Sequence, residues 1–361
     1  AVAHSPAMLL YLDNQQSVGP HSFAAMRGQA FGRKTAPGLN ENYARELMEL
    51  HTVGVNGGYT QRDVTEMAKV LTGWGVQPVE QGSSFEFNER RHEPGDKIVM
   101  GHRIREHGEE EGRQMLHILA ESPATAHFLS TKLAIRFVSD TPPPALVDSM
   151  AKTYLKTHGD IRQVLQTMTR SPEFWSRQNY ETKLKTPQEF VVSSIRATGA
   201  EVQNATALVN TLERLGMPLY GVQQPNGYSW KADPWLGSEA LLNRLNFALA
   251  LTSNRVPGVQ ITLPGDTGAP LDQQESQLES MLLDGHVSPH THDAVIAHLN
   301  SPDFASSMAT NGRLTGVNMA ENLRGGGRRR DPFTPPAKSS PPTEASTAAA
   351  LLLGSPDFQR R

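Results

Sequence analysis

Glu46 and Glu49 stand one turn apart, with Arg45 beside the first and Asn42 one turn earlier. In an α-helix, positions 42, 45, 46 and 49 share a face. Two carboxylates so placed can hold a divalent cation or work as an acid–base pair, while Arg45 stabilises developing negative charge. A second group follows in Arg91-His-Glu-Pro-Gly-Asp-Lys97, with His102 and His107 just beyond. His92 offers an imidazole ligand, and Lys97 a second cation. The candidate metal ligands are therefore Glu46, Glu49 and His92, and the candidate catalytic residues Glu46, Glu49, Arg45 and Lys97. Oxygen and nitrogen donors of this kind suit zinc, manganese, non-haem iron or calcium. No HExxH or His-x-His spacing singles out a metal. The same stripe also has a plain structural reading. Glu41, Arg45 and Glu49 are successive i,i+4 neighbours, and such ion pairs on a solvated face contribute about 0.2–0.5 kcal/mol each. Histidines in a surface loop need no ligand either.

A further cluster is Tyr220-Gly-Val-Gln-Gln-Pro-Asn-Gly-Tyr-Ser-Trp230, followed by Trp235. Its aromatics and amides can stack on a sugar or another planar ligand, which makes Tyr228 and Trp230 candidate ligand contacts. They can equally plug a long loop onto the helices beneath it. His286, His290, His292 and His298 fall in the least patterned region and read as surface residues. No P-loop, GxGxxG or GxSxG motif occurs.

The polar stripe requires a helix, and the local signals supply one. Asn40 suits the N-cap, Tyr43, Leu47 and Leu50 recur at core-facing spacing, and Gly54 suits the stop. A second helix follows from Thr60 and Asp63, which form a capping box with Asp in the usual place of Glu. Met67, Ala68 and Leu71 continue its buried stripe, Gly73 ends it, and Trp74 folds back on it. Residues 14–39 read as a long loop after the apolar turn opened by Ser5-Pro6. Phe85 and Phe87 alternate with polar residues, Pro94-Gly95-Asp96 makes a turn, and Ile98-Val99-Met100 is strand-like, so one small β-hairpin is expected at about 83–101. Beyond it the periodicity is helical at about 109–121, 123–138, 144–156, 160–170, 187–198, 204–215 and 238–252. Thr186-Pro187-Gln188-Glu189 combines an N-cap, a proline at the first position and a capping glutamate. A Ser-Pro-acid-Phe device recurs at Ser171, Ser301 and Ser355, with a looser copy at Ser122. Each copy reads as a helix start with a packing aromatic, and the uneven spacing excludes a solenoid.

The expected fold is mainly α, a multi-helical globular domain over 1–323 with that one hairpin. A Gly/Arg/Pro/Ser tract at 324–345 reads as a flexible linker or insert, and 346–361 as a C-terminal helix. The 361 residues contain no cysteine, which removes disulfides, thiolate nucleophiles and cysteine-held clusters. A net charge of −3 gives no general pull toward nucleic acid, and Arg328, Arg329 and Arg330 make only a small basic patch. No run approaches the roughly 18 apolar residues of a membrane span. The chain opens at Ala1 without a methionine or a signal peptide, so the real N-terminus is expected to be missing from it.

Asn40-Glu-Asn-Tyr-Ala-Arg-Glu-Leu-Met-Glu-Leu-His-Thr-Val-Gly54 and Gly58-Tyr-Thr-Gln-Arg-Asp-Val-Thr-Glu-Met-Ala-Lys-Val-Leu-Thr-Gly-Trp74 resemble the bacterial family catalogued as domain of unknown function 1800. His4 to Asn14, Arg91 to Lys97, Lys183 to Phe190 and the closing Leu351 to Arg361 extend the resemblance nearly end to end. The family's usual first segment, around a Phe-Gly-Leu-Gly-type motif, is absent, so the chain resembles the C-terminal three quarters or so of a member. The tract after Leu323 also departs from the family's usual ending. The resemblance implies a largely helical, often exported protein with no established activity. It also implies genes that neighbour those of a Tat-exported, alkaline-phosphatase-like family. Asn42, Arg45, Glu46, Glu49, His92 and Lys97 are carried over as family-typical positions without roles.

Two functions compete. One is an accessory or scaffold protein for a secreted enzyme system, located in the periplasm or outside the cell. The other is an extracytoplasmic hydrolase, metal- or carboxylate-dependent, using Glu46 and Glu49 with His92 and Lys97. A glycan-cleaving version would hold two carboxylates some 5–10 Å apart. The two differ in geometry: a site needs both glutamates near His92 or Lys97 in a concave pocket.

Overall fold

Side-chain caps written into the sequence start seven of the described α-helices. The computed structural model describes residues 1–30, 38–264, 271–301 and 343–361. Fifteen α-helices and three two-stranded antiparallel sheets occur among them, so the protein is mainly α as expected. No helix there is long and apolar enough to cross a membrane. The chain divides into two units, Ala1–Ser176 and Arg177–Arg361, a boundary that nothing in the sequence pattern over 1–323 marks. The linker expected at 324–345 lies outside the described residues up to 342.

The first unit begins with α1 (Pro6–Tyr11), α2 (Phe23–Ala30), α3 (Asn42–Glu49) and α4 (Gln61–Val70). Four short strands follow: β1 (Trp74–Val76), β2 (Phe85–Phe87), β3 (Lys97–Val99) and β4 (His102–Ile104). It ends with α5 (Glu109–Ala120), α6 (Pro123–Phe137), α7 (Pro144–Lys156) and α8 (Ile161–Arg170). Tyr43 and Leu47 from α3 join Met67, Ala68 and Leu71 in one core, with Trp74, Met115 and Leu119. Ala126, Met150, Val164 and Met168 hold α6, α7 and α8 together in a second. The Thr60–Asp63 capping box is present in both directions. Gly54 and Gly73 both take positive φ. Ser5 precedes α1 but makes no side-chain cap, and α2 falls inside the stretch expected to be loop. That helix has one buried residue, Ala25, so no apolar stripe announces it.

The strands pair differently from the expected single hairpin. Phe85–Phe87 pairs with Trp74–Val76, and Lys97–Val99 with His102–Ile104. The second pair closes through the two-residue loop Met100-Gly101, with φ of 50° and 80°. Two consecutive positive φ angles match the twist of a tight hairpin. Asp63 accepts from the Met100 N–H at 2.6 Å, so the cap of α4 also pins this loop.

The second unit comprises α9 (Pro187–Ala197), β5 (Glu201–Val202), α10 (Thr206–Arg214), α11 (Ser238–Thr252) and β6 (Val259–Gln260). Then come α12 (Leu271–Leu283), α13 (Pro289–Leu299), α14 (Glu344–Gly354) and α15 (Pro356–Gln359). α14 is the core of this unit. It is apolar nearly all round, as a helix enclosed on every side must be, and it packs on α11, α12 and α13. Ser355 caps α15 by accepting from the N–H of Phe358, which is buried. Behind it, Leu184 bridges to Arg360, so the Lys183–Phe190 motif meets the closing motif.

Gly112 on α5 lies against the buried Trp74 ring, and a Cβ there would overlap Trp74 Cζ2. Gly→Ala inside a helix ordinarily stabilises by about 1 kcal/mol, but forcing a methyl into a packed core costs about 1–3 kcal/mol. Trp74 is enclosed and cannot retreat, so Gly112→Ala is expected to lower stability in urea denaturation. A gain in stability would show that the ring is free to move.

Candidate functional site

The α3 stripe is mostly consumed in joining α3 to α4. Asn40 accepts from the Asn42 N–H at 2.9 Å and so starts the helix. Arg45 pairs with Glu41 at 3.4 Å and donates to Gln61 at 2.8 Å, while Glu41 accepts from Gln61 and Thr65, both at 2.6 Å. Glu49 accepts from the Tyr59 hydroxyl at 3.4 Å. Glu46 is half-buried. Burial first, and then the neighbouring Glu49 carboxylate, push its carboxyl up, against the pull of Arg45. Asn42 is exposed.

His92 and Lys97 do come together, but around a different carboxylate. Lys97 donates to Glu111 Oε2 at 2.7 Å and to the Glu93 carbonyl at 2.5 Å. His92 Nε2 lies 3.0 Å from Glu111 Oε1 and 3.3 Å from Lys97 Nζ. His92 Nδ1 meets the Thr72 carbonyl at 2.8 Å; a carbonyl only accepts, so this nitrogen carries a proton. Glu111 Oε1 also accepts from the His107 N–H at 2.9 Å. Side-chain exposure is 6% for His92, 1% for Lys97 and 0% for Glu111. Burial acts to raise the Glu111 carboxyl, but the hydrogen bonds from His92, Lys97 and the His107 amide outweigh it and hold it low.

The segment 91–97 is clamped on its other side as well. Glu93 takes the His21 N–H at 2.8 Å and His21 Nδ1 at 2.6 Å. The Glu93 N–H donates to Thr72 Oγ1 at 2.8 Å. Gly19 donates to the Arg91 carbonyl at 2.9 Å, and a side chain at Gly19 would strike the Glu93 backbone. Arg91 donates to the carbonyls of Gln15 and Ser17. It lines an open cavity of about 430 Å³ with Leu10, Asp13, Gln15 and Gln16. Its Nε is buried without a hydrogen-bond partner, and burial lowers its pKa.

The structure therefore places His92 and Lys97 with Glu111, Thr72 and Glu93, and neither makes a hydrogen bond to Glu46 or Glu49. Glu111, missed in the sequence, sits in register with Met115 and Leu119 at i, i+4 and i+8, and all three are buried. A carboxylate on a core stripe was the available signal.

In the second unit the aromatic loop packs onto itself. Tyr228 donates to the Pro218 carbonyl at 2.6 Å, and its ring lies 6.3 Å from that of the buried Trp235. Trp230 is half-exposed, and its carbonyl accepts from Lys183 at 2.7 Å. Arg244, 1% exposed, donates to the Lys185 carbonyl at 2.8 Å and to Gln359 at 3.2 Å, so it fastens the two motifs together. Burial lowers its pKa to about 10.

A sequence profile described as "Protein of unknown function (DUF1800)" matches residues 1–360. The chain belongs to that family. No curated protein and no solved structure matches it. The family-typical positions of the resemblance thus split: His92 and Lys97 are interior, while Asn42, Arg45, Glu46 and Glu49 line the α3 surface.

Removing one partner of a buried ion pair typically costs about 3–5 kcal/mol, because the other charge is stranded. Lys97→Met should show a loss of that size in urea denaturation, and a change under about 1 kcal/mol would mean the pair is solvated. The Glu111 contribution is fully present above its ordinary value of 4.5 and is lost as pH falls through its depressed folded value. Glu111→Gln should therefore be less stable at neutral pH and show a flatter decline below pH 4.5 than the parent.

Proposed function

We propose that this chain is a non-catalytic helical accessory protein of an exported bacterial enzyme system, acting in the periplasm or outside the cell. The observation that carries this reading is the closure of the His92–Lys97–Glu111 network. Each of these side chains spends its hydrogen-bonding capacity on the others or on backbone, and each is nearly or wholly buried. A hydrolytic centre needs a nucleophile or a metal position open to substrate. The exposed apolar residues Leu10 and Tyr11 on α1, and Phe23 and Met26 on α2, support a role in contact with another protein. The partner is a Tat-exported alkaline-phosphatase-like protein encoded nearby, by the family resemblance; no nucleic acid is called for.

The second reading is a hydrolase acting through Glu46 and Glu49. Its support is the raised Glu46 carboxyl beside Glu49, the pairing a general acid requires. His92 and Lys97 lend it no support, since their hydrogen bonds are spent elsewhere.

Co-expression of the full chain with the neighbouring alkaline-phosphatase-like protein, followed by size-exclusion chromatography with light scattering, separates the two. The accessory reading expects a complex of fixed stoichiometry that survives Glu46→Gln. Separate elution at micromolar concentration would count against it. So would turnover of ester, phosphate or glycoside substrates by the isolated chain that Glu46→Gln abolishes.

A further inference from the structure

The second unit contains a carboxylate whose environment is the reverse of that of Glu111. Glu275 lies on the α12 stripe with Leu278 and Leu282, and it is fully buried. Neither of its oxygens receives a well-aligned hydrogen bond, although two polar side chains lie close by. One turn on, Glu279 points to the same place, and α13 brings His292 across. His292 Nδ1 lies 2.9 Å from Glu279 Oε1 and 3.2 Å from Glu275 Oε2. One donor atom from each of the three residues falls within 4.8 Å of the other two. His292, expected from the sequence to be a surface residue, is thus half-exposed and tied to two acids.

We propose that Glu275, Glu279 and His292 bind one divalent cation of the zinc class. Bond lengths of about 2.0–2.2 Å at tetrahedral angles set donor atoms roughly 3.4 Å apart, close to the 2.9 and 3.2 Å between His292 Nδ1 and the two carboxylates. Two carboxylates and a neutral imidazole balance the charge of such a cation. Three protein ligands with a solvent-facing side fit a site whose fourth position is water. The 43% exposure of the His292 side chain provides that open side and an entry path. Mixed nitrogen and oxygen donors favour zinc over manganese in the usual affinity order. Calcium needs six to eight oxygen ligands, more than this cluster presents.

A structural ion pair explains the cluster less well. His292 Nδ1 can serve Glu279, but it cannot fully serve Glu275 as well, whose other neighbour is the Glu279 carboxyl, so the buried acid is left poorly satisfied. A cation at the meeting point of the three side chains would give the buried Glu275 oxygens the positive partner they lack. The site is independent of the accessory reading, and lies in a unit that contains none of the candidate catalytic residues.

The test titrates the full chain, freed of metal, with Zn²⁺ by calorimetry. It is repeated with Glu275→Gln, Glu279→Gln and His292→Ala. The expected result is one saturable equivalent on the parent, with affinity in each variant reduced by more than the roughly 10- to 100-fold that loss of an outer-shell partner causes. Zn²⁺ should raise the melting temperature of the parent and not of the variants. Without metal, Glu275→Gln should melt no lower than the parent, since a neutral amide replaces an unsatisfied buried carboxyl; this keeps the test valid as a folded control. No saturable equivalent on the parent at millimolar Zn²⁺ would overturn the proposal. So would parental affinity retained in all three variants, which would move the metal to another group of histidines.

Discussion

The first unit depends on one buried lysine–carboxylate contact. Lys97 and Glu111 are each enclosed to within 1%, and a charge without a partner at that depth costs several kcal/mol. The elements that carry them must therefore dock together or not fold. β3 brings Lys97, α5 brings Glu111, and the loop before β3 brings His92. Thr72, just beyond α4, receives His92 through its carbonyl and holds Glu93 through its hydroxyl. A single ion pair thereby ties four pieces of chain that the hydrophobic core alone would leave free to slide. Any packing that parts the two residues strands a buried charge, so the pair penalises misdocked arrangements of these elements.

Much of this was legible from local chemistry, and the misses share a cause. The Thr60 and Thr186 capping boxes, the Ser355 cap and the helices of α5 to α11 follow from short-range patterns within a turn or two. What failed was pairing across distance. Phe85 and Ile98 look alike as strand residues, and nothing in their alternation says that one pairs backward to Trp74 and the other forward to His102. The Met100-Gly101 loop decides it, yet only its glycine is a turn residue by type. The hydrogen bonds of the candidate residues have the same character: His92 and Lys97 lie together, but the carboxylate between them is Glu111 and not Glu46 or Glu49. Glu111 needed its place on the Met115–Leu119 stripe to be weighed instead.

The recurring Ser-Pro device shows how one local solution serves different ends. Ser122 only starts α6, where its hydroxyl accepts from Ala124. Ser355 starts α15, whose Phe358 and Gln359 both reach the interior. Ser288, a Ser-Pro start without the acid and the aromatic of the full copies, begins α13, and its side chain also donates to Asp357 at 2.8 Å, linking α13 to α15. The cap sets where a helix begins. What the helix then presents is decided by the residues one and two turns on.

Glu111 and Glu275 let structure and site be told apart on physical grounds. Both occupy a core stripe, both are fully buried, and both face a histidine. Around Glu111 a lysine and a backbone amide donate, an imidazole nitrogen lies 3.0 Å away, and its carboxyl is held below the ordinary range despite burial. Such a group is finished: adding a ligand would have to remove a partner. Around Glu275 there is one half-exposed imidazole, shared with a second acid, and its carboxyl is driven up. Burial is the same in the two cases, so burial cannot be the criterion. The difference is the number of donors that converge on the oxygens. By that measure His92 and Lys97 of the Arg91 to Lys97 motif have their donors and acceptors engaged within the fold. The unremarked acids of α12 retain unfilled coordination capacity.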